Sequence, residues 1–276
     1  MIMLKEYFSH QDLQEALDVS QVIPELLFIH HSINNYLLMM YPCREIRVYS
    51  YPFNNPTYWF LVDLKKNACS SYYLFSLYET NFTAARSKEL LDGNCNSFLI
   101  STLLSQYFDE YEMGSRVEHN FFYMTPTQMK NTQKVEIVLP YGYELSELTT
   151  KDAETVLSTA QNDESLELIR DRIQFLPSSC IRQSSSCEIV SHELSSNMGN
   201  MTELYTVPDH RRQGLGSAAE INLAQKMIDH GQIPFKTVPT HLTSILLSSE
   251  ESPFWTMWTR NTLPVMFVNQ MIEKRQ

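Results

Sequence analysis

The sequence predicts an α+β fold arranged as two units, and three observations lead there. The chain has 276 residues, 43% of them hydrophobic and 12% aromatic. That is enough apolar material for two ordinary cores at roughly 100 to 200 residues per domain. Segments of helical and of strand periodicity alternate along its whole length. Between residues 179 and 207, three consecutive strand-like runs are joined by short turns, which is an antiparallel meander rather than the strand–helix alternation of a parallel sheet.

The expected division falls at residue 140, giving units 1–140 and 141–276. In the first, apolar spacing predicts helices over Gln11–Leu17 and Glu25–Met40 and strands over Glu45–Tyr51, Tyr58–Leu64 and Ser71–Leu77. Two more helices are expected over Thr83–Leu91 and Asn96–Phe108. No catalytic spacing occurs in these segments. The polar, turn-rich stretch Pro126–Lys134 reads as the linker, which lies there or just after the strand-like run Val135–Leu139.

The second unit has sharper punctuation. Tyr143–Leu148 reads as a strand, and Thr149 or Thr150 can cap a helix with apolar positions Ala153, Val156, Leu157 and Ala160. Leu166, Ile169, Ile173 and Leu176 make the stripe of a second helix, which Pro177 ends. Strands over Ser179–Gln183, Cys187–Leu194 and Met201–Val207 follow. Their turns are Ser184–Ser186 and Asn197–Asn200, the latter with an Asn-Met-Gly-Asn sequence that tolerates positive φ. A long helix runs from Gly214 to His230 with Gly231 as its stop. After it come a strand Phe235–Val238, a weak helix Thr243–Ser249, and strand-like runs Trp255–Thr259 and Val265–Val268. The order is β, α, α, β, β, β, α, β, α, β, β.

Charge and composition narrow the function classes. Twenty-one Lys and Arg face 32 Asp and Glu, a formal charge of −11, and both halves of the chain are acidic. Nucleic acid and anionic membrane are thereby disfavoured as main partners. The five cysteines, Cys43, Cys69, Cys95, Cys180 and Cys187, contain no CxxC pair, so neither a disulfide framework nor a metal site is expected. No apolar run approaches the ~20 residues of a membrane span. The first 20 residues hold Glu6, Asp12, Glu15 and Asp18, the wrong charge for a secretory or transit peptide. A cytoplasmic location is the expectation, and the sequons at Asn81 and Asn200 are read as chance.

The informative segment is Leu204-Tyr205-Thr206-Val207-Pro208-Asp209-His210-Arg211-Arg212-Gln213-Gly214-Leu215-Gly216-Ser217. Pro208 ends the strand's hydrogen-bonding ladder, and two glycines one residue apart open a helix. In a chain with only seven glycines, that placement is informative. Such a loop can aim successive backbone N–H groups at one point, at the positive end of a helix dipole, as a pyrophosphate site requires. Glycine is needed where a Cβ would stand in the way of the phosphate, and His210, Arg211 and Arg212 add local positive charge. The alternative is a helix start whose glycines serve only close packing. Neither a Walker loop nor the three-glycine dinucleotide fingerprint is present.

Arg211-x-x-Gly214-x-Gly216 after a strand, in this element order, resembles the acyl-CoA motif of the GNAT superfamily of N-acyltransferases. The stretch from Ser165 to Pro177, the run Tyr205–Arg211, and the helix ending at Gly231 before Pro234-Phe235 are most similar to the glycine N-acyltransferase family. The resemblance implies two GNAT-like units, a divergent first one and a catalytic second one. It also implies acyl transfer from acyl-CoA to the amino group of glycine or another small amino acid, with a mitochondrial address as an alternative. On this resemblance acyl-CoA is held by Leu204, Tyr205, Thr206, Val207, Arg211, Arg212, Gln213, Gly214, Leu215, Gly216 and Ser217. An N–H in the Leu204–Thr206 stretch, freed where the fourth and fifth strands splay, would meet the thioester carbonyl.

Thioester aminolysis needs a neutral amine, support for the oxyanion and a proton for the thiolate. The family's glutamate base, at the start of the fourth strand, is replaced here by Asn200, which cannot take a proton. Glu203 is the nearest carboxylate and the candidate base, provided a β-bulge shifts its face. The family's usual tyrosine acid is also missing, which leaves Ser248. Two other readings stay open: a GNAT acetyltransferase for protein or polyamine amines, and a CoA-binding pseudoenzyme. His30-His31 reads as a surface or boundary pair, Cys180 and Cys187 as unreactive in the chemistry, and Trp255 and Trp258 as core packing or an acyl-pocket wall.

Overall fold

A computed structural model of the chain describes residues 5–20, 24–42, 44–54, 56–65, 71–76, 111–160 and 165–274. The chain divides into two compact units. One comprises Met1–Phe121, Val238–Leu246 and Trp258–Gln276, and the other Phe122–Thr237 and Leu247–Met257. The expected helices over 83–91 and 96–108 lie outside the described residues.

The first unit begins with β1 (Lys5–Tyr7), α1 (His10–Ser20), a 3-10 turn at Pro24–Leu26 and α2 (Leu27–Leu37). These are followed by β2 (Arg44–Tyr51), β3 (Tyr58–Lys65) and β4 (Ser71–Ser76). The four strands pair antiparallel in the order β1-β2-β3-β4. Ser9 and Asp12 close the start of α1 reciprocally, with Ser9 N–H to Asp12 at 2.9 Å and Asp12 N–H to Ser9 Oγ at 3.1 Å. Trp59, Phe60 and Leu61 of β3 are all fully buried, the continuous apolar run expected of a strand covered on both faces. His30 and His31 are buried rather than at the surface. α2 is buried around most of its circumference, and the Leu17 carbonyl 3.1 Å from His30 Nδ1 supplies that ring with a partner. A 13-residue strand, β5 (Tyr111–Tyr123), then follows. The sequence reading passes over it: Tyr111, Met113 and Val117 alternate with Glu112, Gly114, Arg116 and Glu118, but Gly114-Ser115 in the middle of the run reads as a break.

In the second unit, the expected linker is a helix, α3 (Pro126–Thr132). Thr125 and Gln128 form a capping box with Pro126 at the first helical position, so residues that read as turn formers start a helix instead. Val135–Leu139 is not a strand. The remaining elements follow expectation closely. They are β6 (Tyr143–Ser146), α4 (Ala153–Leu157) behind a short 3-10 turn, α5 (Leu166–Phe175), β7 (Ser178–Gln183), β8 (Ile189–Ser195) and β9 (Met201–Thr206). Then come α6 (Leu215–Asp229), β10 (Phe235–Pro239), α7 (Thr243–Glu251) and β11 (Thr256–Met257). Strands β6-β7-β8-β9 pair antiparallel in sequence order, and β10 joins β9 in parallel. Period-two alternation splits the core. Cys180 and Leu194 pack with Ala153, Val156, Ile169 and Ile173 of α4 and α5, while Ile181 and Val190 pack with Leu215 and Ala219 of α6.

The chain closes with a small hairpin, β12 (Thr259–Arg260) and β13 (Leu263–Pro264), whose Asn261 and Thr262 carry positive φ. Last comes β14 (Met266–Lys274), antiparallel to β5. Both units therefore contain the same topology: a strand, two helices, and three further strands that extend an antiparallel sheet in chain order from that first strand; in the second unit α3 precedes it.

Candidate functional site

The loop after β9 is shaped by a chain of specific contacts. Val207 N–H still reaches back to the Val190 carbonyl at 2.9 Å, and Pro208 then starts a 3-10 turn, Pro208–His210. Tyr143 OH lies 2.8 Å from His210 Nδ1, which ties the turn to β6. Arg211 donates Nε–H to the Thr206 carbonyl at 2.8 Å, with its guanidinium carbon 5.7 Å from the centre of the Tyr205 ring. That arginine is thus part of the loop's frame as well as a source of positive charge.

Arg212 and Gly214 both have left-handed backbones, at φ +60° and +80°. Gly214 is the N-cap of α6, and no side chain caps the helix. The first intrahelical bond is Ala218 N–H to the Gly214 carbonyl at 2.9 Å, so the N–H groups of Leu215, Gly216 and Ser217 have no intrahelical acceptor. Nothing lies within 4 Å of where a Cβ on Gly214 would stand, whereas one on Gly216 would meet Thr206 Oγ1 at 3.2 Å. The first glycine keeps the outer face of the loop open, and the second lets α6 approach β9. Leu215 is buried against β7 and β8 while Arg212, Gln213 and Ser217 are exposed, so the helix start is anchored beneath and bare above. An uncapped, solvent-open helix N-terminus flanked by two arginines is an anion site in electrostatic terms.

β9 presents a second feature. Its parallel register with β10 is the single pair Met201–Lys236. Val207 N–H points to β8, so alternation turns the Thr206 N–H and carbonyl away from β8, consistent with Arg211 reaching that carbonyl. Between the pairs His192–Tyr205 and Leu194–Thr202, one residue of β8, Glu193, faces two of β9, Glu203 and Leu204. This is the bulge on which the candidacy of Glu203 depended, and Glu203 carries a φ of +57° there. Asn200 closes the β8–β9 hairpin, its Oδ1 accepting from Ser196 Oγ and its carbonyl from Ser196 N–H. Ser248 is exposed on α7, and its neighbour Ser249 is the buried one.

The sequence reading missed a set of buried polar residues in β8. His192 is held neutral, its pKa pushed down to about 4 by burial and, secondarily, by Arg172. Its Nε2 lies 2.9 Å from Thr159 Oγ1, and its ring lies against Tyr205. Glu193, on the opposite face, is 2% exposed and has one carboxyl oxygen without a hydrogen-bond partner. Burial and then the Glu220 carboxylate push its pKa well above the usual range, against the opposing pull of Lys236. The signal in the sequence was Ser191-His192-Glu193, three polar residues in the interior of a run that reads as a central strand. Cys180 is buried with its thiol pushed up to about 11 by desolvation, as an unreactive core cysteine should be. Trp255 is buried as expected. In the first unit, Val117, Glu118, Thr240 and His241 line a cavity of about 280 Å³.

Comparison with solved structures gives the fold its relatives. The chain is similar to a Drosophila protein solved by a structural genomics consortium, with 16% identity and a TM-score of 0.70 over 99% of this chain and 98% of that one. It is also similar to a GCN5-related N-acetyltransferase from Sphaerobacter thermophilus, with 10% identity and a TM-score of 0.53 over 97% and 95%. At these identities the likeness establishes the fold alone: a mixed α+β chain with mostly antiparallel sheets flanked by helices, shared with that GCN5-related N-acetyltransferase. No family model matches the chain, and no curated protein sequence matches it significantly.

Proposed function

We propose that the protein transfers an acyl group from acyl-CoA directly to the amino group of glycine or another small amino acid. The proposal takes 1–140 as a divergent domain and 141–276 as the catalytic one, acting in the cytoplasm. The observation that carries it is the bare N-terminus of α6, with Gly214 open above it, beside an edge of β9 that pairs with β10 only at Met201. The donor's diphosphate would accept from the N–H groups of Leu215, Gly216 and Ser217, with Arg212 contributing charge. The Thr206 N–H, turned away from β8, lies along the strand that leads back from that loop and is suited to a developing oxyanion.

In the transfer, the amine nitrogen bonds to the thioester carbon, the C–S bond breaks, and the sulfur leaves with the electron pair. The amine's proton passes to Glu203, directly or through water, and a solvent proton, delivered directly or relayed through the Ser248 hydroxyl, which takes one from water as it gives one up, converts the thiolate to CoA thiol. A thiolate is a good leaving group, so the acid contributes little. Two further readings have support of their own. The charge of −11 suits a polycationic acceptor, hence protein or polyamine acetylation, and the use of Asn200 as a turn residue suits a CoA-binding pseudoenzyme. Thiol release from acetyl-, butyryl- and benzoyl-CoA with glycine, spermine or a lysine peptide separates the three. Release with glycine supports the proposal, release only with spermine or the peptide replaces the acceptor, and donor binding without release supports the pseudoenzyme.

A further inference from the structure

Four buried or half-buried residues of the second unit meet beside the β9 bulge. Lys236 is the β10 residue in the register pair with Met201. Its ammonium donates to Glu220 Oε1 at 2.5 Å and sits 4.5 Å from the centre of the Trp255 ring. The other carboxylate oxygen of Glu220 accepts from Trp255 Nε1 at 3.1 Å. The Lys236 and Glu220 side chains are only 10% and 15% exposed. Glu193 adjoins them, and burial and then the Glu220 carboxylate push its pKa up, which disfavours it as a second charged partner for Lys236.

We propose that the Glu220–Lys236 pair, seated on Trp255, is a positioning element that sets the amide-bearing end of α6 against the free edge of β9. It rests on the reading of α6 and β9 as the two grips on one acyl-CoA. Glu220 lies five residues beyond Leu215, roughly 7.5 Å along a stiff helix, so any rotation or slip at Glu220 is carried to the anion-binding end. An apolar contact tolerates sliding, whereas a carboxylate bonded through both oxygens by donors on two other segments defines one orientation. The requirement is steep because a donor gripped at its diphosphate must also bring its thioester carbonyl to a fixed N–H. A misplacement of about 1 Å costs roughly 100-fold in rate.

The test uses the full chain with Lys236→Met, Lys236→Arg and Glu220→Gln. Two probes are titrated: 3′-phospho-ADP, which reports the loop alone, and acetyl-CoA, which needs both grips. Lys236→Met should leave 3′-phospho-ADP affinity within about twofold and lower kcat/KM by about 100-fold, mostly in kcat. Lys236→Arg, which keeps the charge, should recover most of it. Should Lys236→Met fail to fold, Glu220→Gln is read by the same split. If the wild type binds donor without turnover, the ratio of acetyl-CoA to 3′-phospho-ADP affinity replaces kcat/KM. Equal losses for both probes, or a folded variant with wild-type kcat/KM, overturns the positioning role alone. A wild type that binds neither probe overturns the donor site and this inference together.

Discussion

Replacing Glu193 by glutamine removes a titration that the fold strongly perturbs. The carboxyl is 2% exposed, one of its oxygens has no partner, and burial followed by Glu220 raises its pKa while Lys236 opposes only in part. In the unfolded chain the group titrates near its ordinary value of 4.5. Between that value and the raised folded one, the folded state holds a proton that the unfolded state has released. Stability therefore falls as pH rises through this window, by about 1.4 kcal/mol per pH unit from this group. The slope persists for as long as the folded carboxyl keeps a proton that the unfolded chain has lost. Glu193→Gln is close to isosteric with the protonated carboxyl and has no such slope. Urea unfolding of both proteins at pH 5, 6 and 7 and fixed ionic strength should show the variant gaining on the wild type as pH rises, by up to about 1.4 kcal/mol per pH unit. A constant separation over those two units would refute the buried, protonated state of Glu193.

Two other outcomes follow from the same geometry. At pH 8, alkylation followed by peptide mapping should label exposed Cys187 and spare Cys180, whose thiol titrates at about 11; equal labelling of the two would contradict the packing of β7. Glu203→Gln should lower acyl transfer by about 100-fold or more with donor affinity unchanged, and an unaltered rate from pH 6 to 9 would remove Glu203 as the base.

What was legible in the sequence was chiefly local. Ser165 accepts from Leu168 N–H at 3.2 Å to start α5, Pro177 ends that helix, and Gly231 stands at φ +72° just past α6. Each signal acts within a few residues, so each could be read without coordinates. The Thr125–Gln128 capping box is equally local but shares its residue types with turns, so Pro126–Lys134 reads as a linker although it starts a helix. β5 escaped because Gly114-Ser115 reads as a break in its run, whereas its partner β14 lies some 150 residues on and decides the pairing. The same holds for His30 and His31, whose burial depends on neighbours from other elements. Within the site, the glycine loop was foreseeable from residue type, whereas the bulge entered only as a feature implied by the resemblance, since regular strand phase alone would put Glu203 on the other face. The Glu193, Glu220, Lys236 and Trp255 cluster was not, because its members come from four separate segments and only tertiary packing unites them.

The central claim, that main-chain amides between Arg211 and Ser217 grip a diphosphate, is tested most directly by calorimetric titration of acetyl-CoA into the wild type and into Gly214→Glu. The account predicts saturable one-site binding by the wild type and none by the variant, which places a carboxylate at the bare helix end. The substitution puts a side chain at φ +80°, so a stability loss of about 1–2 kcal/mol is expected while the fold is retained. Equal affinity in the two proteins, or no binding by the wild type, would contradict it.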